Sequence, residues 1–345
     1  MSATPAHPEL GFYTLAGAPK SPRDMLGELA HAEELGLGTA FISERFNIKE
    51  AGALTGAAVA ATGTINVITA ATNHTTRHPL VTASWASTLH LLSEGRFSLG
   101  LGRGIEAMFK AYGMPMATTD SMEQFAYLMR RLWKGETVLG HTDITGTYPV
   151  LRLDPDFRLD IPLSITVFGD QTLKMAGRAY DNVILHTFFT DETTQRAVQT
   201  VKRSAEEAGR DPDSVKVWSC FATIGDHIDP ALRLKKTVGR LATYLQAYGD
   251  LMVRTNKWDP AVLKSFREDE FVRTFPGALD AKGTTEDLER VAPLIPAEWL
   301  APAAMGSPEQ CVAAIRNQFA LGCDGVIMHG ATPTELAPIV SAYKR

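Results

Sequence analysis

Apolar and polar positions recur along the chain in a fixed order: a short β-branched run, a polar turn, then apolar residues at helical spacing. Eight short apolar runs read as strands, over residues 10–15, 39–43, 65–70, 97–101, 163–168, 183–187, 215–223 and 325–329. Runs that are apolar on both faces suit a buried parallel sheet. Between them lie helical patterns. Residues 22–35 put Met25, Leu26, Leu29, Ala30 and Ala32 on one side and stop at Gly36. Residues 79–94 open on Pro79, which suits a first helical turn, and end at Gly95. Residues 190–209 begin with Asp191 and Glu192, as the helix dipole favours, and residues 308–321 follow Ser307 as N-cap and end at Gly322.

Strand–helix alternation repeated eight times predicts a closed (β/α)8 TIM barrel, not an open sheet. A barrel takes about 250 residues, so a chain of 345 carries additions. Two stretches qualify, 113–162 and 224–305. The first holds a helix over 121–133 and then a glycine- and proline-punctuated stretch with hairpin character. The second lies between the seventh and eighth strands and holds three or more helical patterns. With no repeat or linker between them, residues 1–345 are expected to form a single domain.

Composition narrows the function classes. Hydrophobic residues make up 45 % and the net charge is −5, with basic residues scattered along the chain. No basic patch suggests a nucleic-acid partner, and no apolar run reaches membrane-spanning length. The first ten residues lack the basic and apolar regions of a signal peptide and are expected to be a frayed tail. Cys220, Cys311 and Cys323 are too few and too scattered for a disulfide framework. They are expected to be buried thiols in a reducing, cytoplasmic compartment.

Barrel active sites lie at the carboxyl ends of the strands, which singles out a short set of side chains. Glu44 and Arg45 follow the second strand, and Glu44 reads either as a proton-transfer or hydrogen-bond acceptor or as a solvated loop carboxylate. Ala70, Ala71, Thr72 and His74 follow the third, where small side chains leave room for a flat ring. Gly102, Arg103 and Gly104 follow the fourth and would let an anion approach the backbone beside a fixed charge. Gly169 and Thr172 open a helix after the fifth, an anion site by backbone N–H groups and dipole. His186 follows the sixth and His329 the eighth. The nine histidines show no metal-ligand spacing, so no metal site is expected.

The segments TAATNHTTRHP and GRFSLGLGRG, with FISERF upstream, resemble the flavin-binding core of the bacterial-luciferase-like superfamily. More narrowly they are similar to the branch that uses coenzyme F420, a deazaflavin. The resemblance runs from Leu10 to about Ala342. It implies a TIM barrel, a homodimer, and an oxidoreductase passing a hydride between F420 and a small organic substrate. It also implies a non-proline cis peptide at Ala70–Ala71 under the ring, phosphate contacts from Arg103, Gly104, Gly169 and Thr172, and His186 near the ring or its ribityl chain. Glu44 would contact the ring edge, and Tyr244, Tyr248, Arg254 and Trp258 would roof the substrate. Relatives carry Ser-Asp-His-Phe where this chain has Ser43-Glu44-Arg45-Phe46, so a histidine-based proton transfer does not carry over to Arg45. Arg45 is instead a candidate to hold an anionic substrate or the cofactor's tail, or to keep Glu44 ionised if the two side chains meet. An FMN-dependent monooxygenase and a non-catalytic cofactor-binding barrel stay open as alternatives.

Overall fold

The computed structural model describes residues 5–17, 19–46, 48–154 and 158–345. Eight parallel strands close into a barrel: β1 (His7–Tyr13), β2 (Leu37–Ile42), β3 (Asn66–Thr69), β4 (Phe97–Leu101), β5 (Leu163–Thr166), β6 (Asn182–Ile184), β7 (Lys216–Gly225) and β8 (Gly325–His329). Each strand pairs with the next, and β8 pairs back onto β1 with Gly11 opposite Ile327. The (β/α)8 barrel read from the apolar pattern is therefore the fold. β4 and β8 coincide with the expected runs. β5 and β6 end two and three residues earlier than read, because the chain leaves the barrel wall there to build its mouth.

The amino end differs from expectation. Residues 7–10, read as part of a frayed tail, belong to β1, where the His7 N–H donates to the Gly36 carbonyl at 2.8 Å. Residues 1–4 of that tail, and residues 155–157 of the first insertion, lie outside the described residues.

Two apolar layers hold the barrel. Inside it, Phe41, Ile68, Ile184, Trp218, Cys220 and Ile327 fill the lumen, with Phe41 edge-on to Trp218 at 5.3 Å. Outside, the other face of the strands packs on the surrounding helices through residues such as Leu29, Ala58, Ala86 and Ile315. Strand side chains alternate between these layers, so near-continuous apolar runs are what the geometry requires.

The insertions keep their expected places. Helix Thr119–Trp133 is closed by a reciprocal Thr118–Ser121 capping box, and a hairpin of Val138–Asp143 with Gly146–Leu151 follows. The second insertion is helical, its longest element being Arg240–Asn256. Its apolar side, including Leu241, Leu245, Phe266 and Trp299, packs against Phe188 and Ala222 at the ends of the barrel strands. That contact seats the insertion over the mouth.

Glycine is required where β3 meets β4. A Cβ at Gly100 would stand 1.7 Å from the Thr69 carbonyl oxygen, while the Thr69 hydroxyl donates to the Gly100 carbonyl at 2.8 Å. Gly100→Ala should therefore lower stability by about 3 kcal/mol. Gly27→Ala, at a helical site with nothing within 4 Å of the added methyl, should raise it by about 0.5–1 kcal/mol. Urea midpoints of the two variants check both signs.

Candidate active site

The carboxyl ends of β2, β3 and β4 are joined by one polar network. Past β2, the Glu44 side chain turns in rather than out and is only 6 % exposed. One carboxylate oxygen accepts from Arg77 Nη2 at 2.6 Å and from the Ala51 N–H at 3.2 Å. The other accepts from the Thr72 hydroxyl at 2.6 Å and from Arg77 Nη1 at 3.4 Å. Arg77 also reaches Glu50 at 2.5 Å and lies over the Trp85 ring at 5.3 Å. Four donors occupy the four lone-pair directions of the carboxylate. The guanidinium partner of Glu44 is thus Arg77 rather than Arg45.

This network frames the β3 bulge. The Ala70–Ala71 peptide is cis, as expected. Its flanks are fixed by the Ala70 N–H to the Ile42 carbonyl at 2.7 Å, the Glu44 N–H to the Ala71 carbonyl at 3.3 Å, and the Thr72 N–H to the Gly100 carbonyl at 3.0 Å. A Cβ at Gly102 would meet Ala71 Cβ at 2.8 Å. The glycines of the fourth strand end were read as room for an anion. At Gly100 and Gly102 the room is taken by the chain's own bulge.

His74 is drawn away from the mouth. Its ring is buried 5.0 Å from Phe125 of helix Thr119–Trp133, and burial pushes its pKa down to about 4. It is held neutral against the outer layer.

Arg103 and helix Asp170–Ala179 occupy neighbouring strand ends. Arg103 is exposed and donates to the Thr119 hydroxyl at 2.7 Å. Gly104, at φ 80°, turns the chain over the Phe109 ring. The helix has Gly169 as its N-cap with no side chain bonded to its first N–H groups, and nothing lies within 4 Å of the Gly169 Cβ direction. Thr172 bonds back to the Gly169 carbonyl at 2.7 Å, and Asp170 is exposed. An uncapped helix N-terminus and an exposed guanidinium on neighbouring strand ends are a donor set matched to a phosphate.

Aromatic rings line the other side. His186 lies 4.4 Å from Phe168 and 5.0 Å from Tyr244. Its Nδ1 is 3.0 Å from the Thr187 carbonyl, so it carries the proton, and Nε2 accepts from the Tyr248 hydroxyl at 3.1 Å. Burial lowers the His186 pKa to about 4. His329, edge-on to Tyr13 at 5.4 Å, falls to about 3 through burial and the charges of Arg240, His186, Arg45 and Lys236. Tyr13 and Tyr248 are pushed well above the usual phenol range by burial, so both stay protonated.

The expected roof divides. Tyr244 and Tyr248, one helical turn apart, face His186, whereas Arg254 and Trp258 line a different groove of about 620 Å³ with Asp250 and Lys264. Trp258 stacks there on Trp299 at 4.4 Å. Six residues beyond Tyr248 a helix has turned its side chain well off that face. Among the described residues no cluster of metal-ligating side chains occurs, and no helix is long and apolar enough to cross a membrane.

Arg77 was not singled out by the sequence. It is one arginine in a polar run, and its partner lies 33 positions away, so no local spacing marks it.

With this geometry in view, comparison with known proteins is decisive for the family. The sequence profile of luciferase-like monooxygenases matches residues 5–325. The chain belongs to that family. It is 28 % identical over 254 residues to a 5,10-methylenetetrahydromethanopterin reductase of Methanolobus tindarius, covering 70 % of this chain and 74 % of that one. Its fold matches the coenzyme F420-dependent tetrahydromethanopterin reductase of Methanopyrus kandleri with TM-score 0.78, 21 % identity, and coverage of 99 % and 98 % of the two chains. An F420-dependent secondary alcohol dehydrogenase, solved with an F420–acetone adduct, matches with TM-score 0.72 and 17 % identity, over 99 % and 98 % of the chains.

The Glu44–Arg77 pair is testable in a double-mutant cycle of Glu44→Gln and Arg77→Met. A coupling energy of about 1–3 kcal/mol in urea unfolding is expected for a pair this enclosed. A value below about 0.5 kcal/mol would class it with exposed surface pairs.

Proposed function

We propose that the protein is an F420-dependent oxidoreductase that exchanges a hydride between the deazaflavin and a small organic substrate. The observation that carries the reading is the uncapped N-terminus of helix Asp170–Ala179 together with the exposed Arg103, on adjacent strand ends of a barrel shared with F420-dependent enzymes. The donor set fits the cofactor: Arg103, the Gly169–Thr172 amides and the Thr172 hydroxyl take its phosphate, and His186 flanks its ribityl chain. When bound, F420 supplies a two-electron hydride carrier. The protein's work is orientation and exclusion of water. Ala70 and Ala71, with no side-chain bulk, form the surface on which a flat ring rests. Glu44, Thr72 and Arg77 act as positioning residues that fix that surface. Tyr13, Tyr248 and the neutral His186 offer hydrogen-bonding groups that do not ionise near neutral pH, and the Tyr244–Tyr248 face covers them.

The resting assembly is proposed to be a homodimer. Val81, Trp85 and Leu92 recur on one side of helix Pro79–Leu92 with Ser84 and Thr88 between them, and Val81 and Leu92 are 56 % and 57 % exposed. An apolar stripe without charge is the kind of surface a second copy covers. Sedimentation equilibrium should give twice the chain mass, and Val81→Glu should shift it to one chain mass with the fold retained. A wild type sedimenting at one chain mass would refute the dimer.

Oxidised F420 should bind more tightly than FMN in fluorescence and absorbance titrations. Arg103→Ala removes a charge-assisted contact of about 1.5–3 kcal/mol, so F420 affinity should fall roughly tenfold to a hundredfold. Unchanged affinity would remove the phosphate from this position, and tighter FMN binding by the wild type would replace F420 with FMN.

A further inference from the structure

Among the described residues most carboxylates around the mouth are already paired. Glu44 is taken by Arg77. Glu335 is held by Lys236 at 2.7 Å, and Asp280 by Arg240 at 2.7 Å. Glu28 accepts from the Thr14 hydroxyl at 2.6 Å and the Leu15 N–H at 2.7 Å, and the buried Lys49 donates to the Leu15 carbonyl beside it. Glu50, on the outer side, caps its own helix and shares Arg77 Nη2 with Glu44. Arg45 has no carboxylate partner among the described residues. Its guanidinium is exposed, yet its backbone is fixed, the N–H donating to the Lys49 carbonyl at 2.9 Å in an isolated bridge.

Arg45 follows β2 at the carboxyl end of the barrel, close enough for its charge to act on Lys49, on Tyr248 in the roof and on His329 at the end of β8. Lys49 is brought down to about 8 by burial and then by Arg45. An exposed guanidinium without a carboxylate partner, carried on a pinned backbone, can bind a planar anion through two parallel N–H donors.

We propose that Arg45 recognises the substrate, and that the substrate is a small organic anion whose carboxylate or phosphate sits at the β2–β8 side of the mouth. This rests on the F420 reading above. The cofactor's own phosphate has the same chemistry, but its donors stand past β4 and β5, two and three strands round the barrel from β2. The anion at Arg45 is therefore assigned to the substrate.

The test uses the full chain, first shown to bind oxidised F420 by fluorescence; failure at that step overturns the cofactor reading and leaves Arg45 to be tested on the unloaded protein with the same probes. Fluorine NMR then gives affinities for 4-fluorobenzoate, 4-fluorophenyl phosphate and the uncharged 4-fluorobenzamide. The loaded wild type should prefer at least one anion over the amide by about tenfold or more. Arg45→Met should abolish that preference while F420 affinity stays within about twofold, and Arg45→Lys should restore part of it, since a point charge replaces a fork. No preference in the wild type, or a preference that survives in Arg45→Met, overturns the proposal. A tenfold loss of F420 affinity in Arg45→Met would overturn it too, by giving Arg45 to the cofactor's tail.

Discussion

The mouth of this barrel depends on the enclosure of one guanidinium–carboxylate pair. Taking Glu44 and Arg77 out of water is costly, and their attraction offsets that cost only when the remaining hydrogen-bonding directions are filled. Here they are filled from two segments: Thr72 past β3, and Glu50 with Ala51 at the start of helix Ala51–Ala61. Removing Arg77 leaves Glu44 without its counter-charge, so the strand ends are bound to one arrangement. The consequence is mechanical. The bulge at Ala70–Ala71 lies between Glu44 and Gly100, and its backbone groups are held from both sides.

That rigidity explains the division of labour around the mouth. On the β3 side the side chains are small and the backbone is fixed, giving a surface. At β4 and β5 backbone N–H groups and Arg103 remain open, giving an anion site. At β6 and β8 the imidazoles are buried among rings and kept neutral, giving hydrogen-bonding groups whose state does not change near neutral pH. Arg77 also touches Trp85, which stands on the apolar side of helix Pro79–Leu92. The face proposed to meet a second copy is thus one side chain removed from the network that shapes the site.

Much of the fold was legible because buried parallel strands must be apolar on both faces, and all eight runs are barrel strands. Boundaries were less legible at β5 and β6, where Val167, Phe168 and Leu185 continue the apolar pattern past the last strand residues because they still pack against the core. The site was legible as positions past strand ends and much less as partnerships. Glu44 and Arg45 are neighbours in sequence, but successive side chains at a strand end diverge, and the guanidinium that reaches Glu44 comes from the next loop. His74 looked available in a polar run, yet the turn Asn73 makes with Thr75 carries it under Phe125. Gly102 was read as a place of close approach, and it is one. Nothing in composition or spacing could say that the approaching group was the protein's own chain.

A crystal structure with oxidised F420 tests the central claim most directly, because the account assigns each part of the cofactor a separate support. The ring should lie against the Ala70–Ala71 peptide, the phosphate on the Gly169–Thr172 amides and Arg103, with the Glu44–Arg77 pair intact beneath. A ring seated away from Ala70–Ala71, or a phosphate bound without Arg103 and the Gly169 helix, would contradict it.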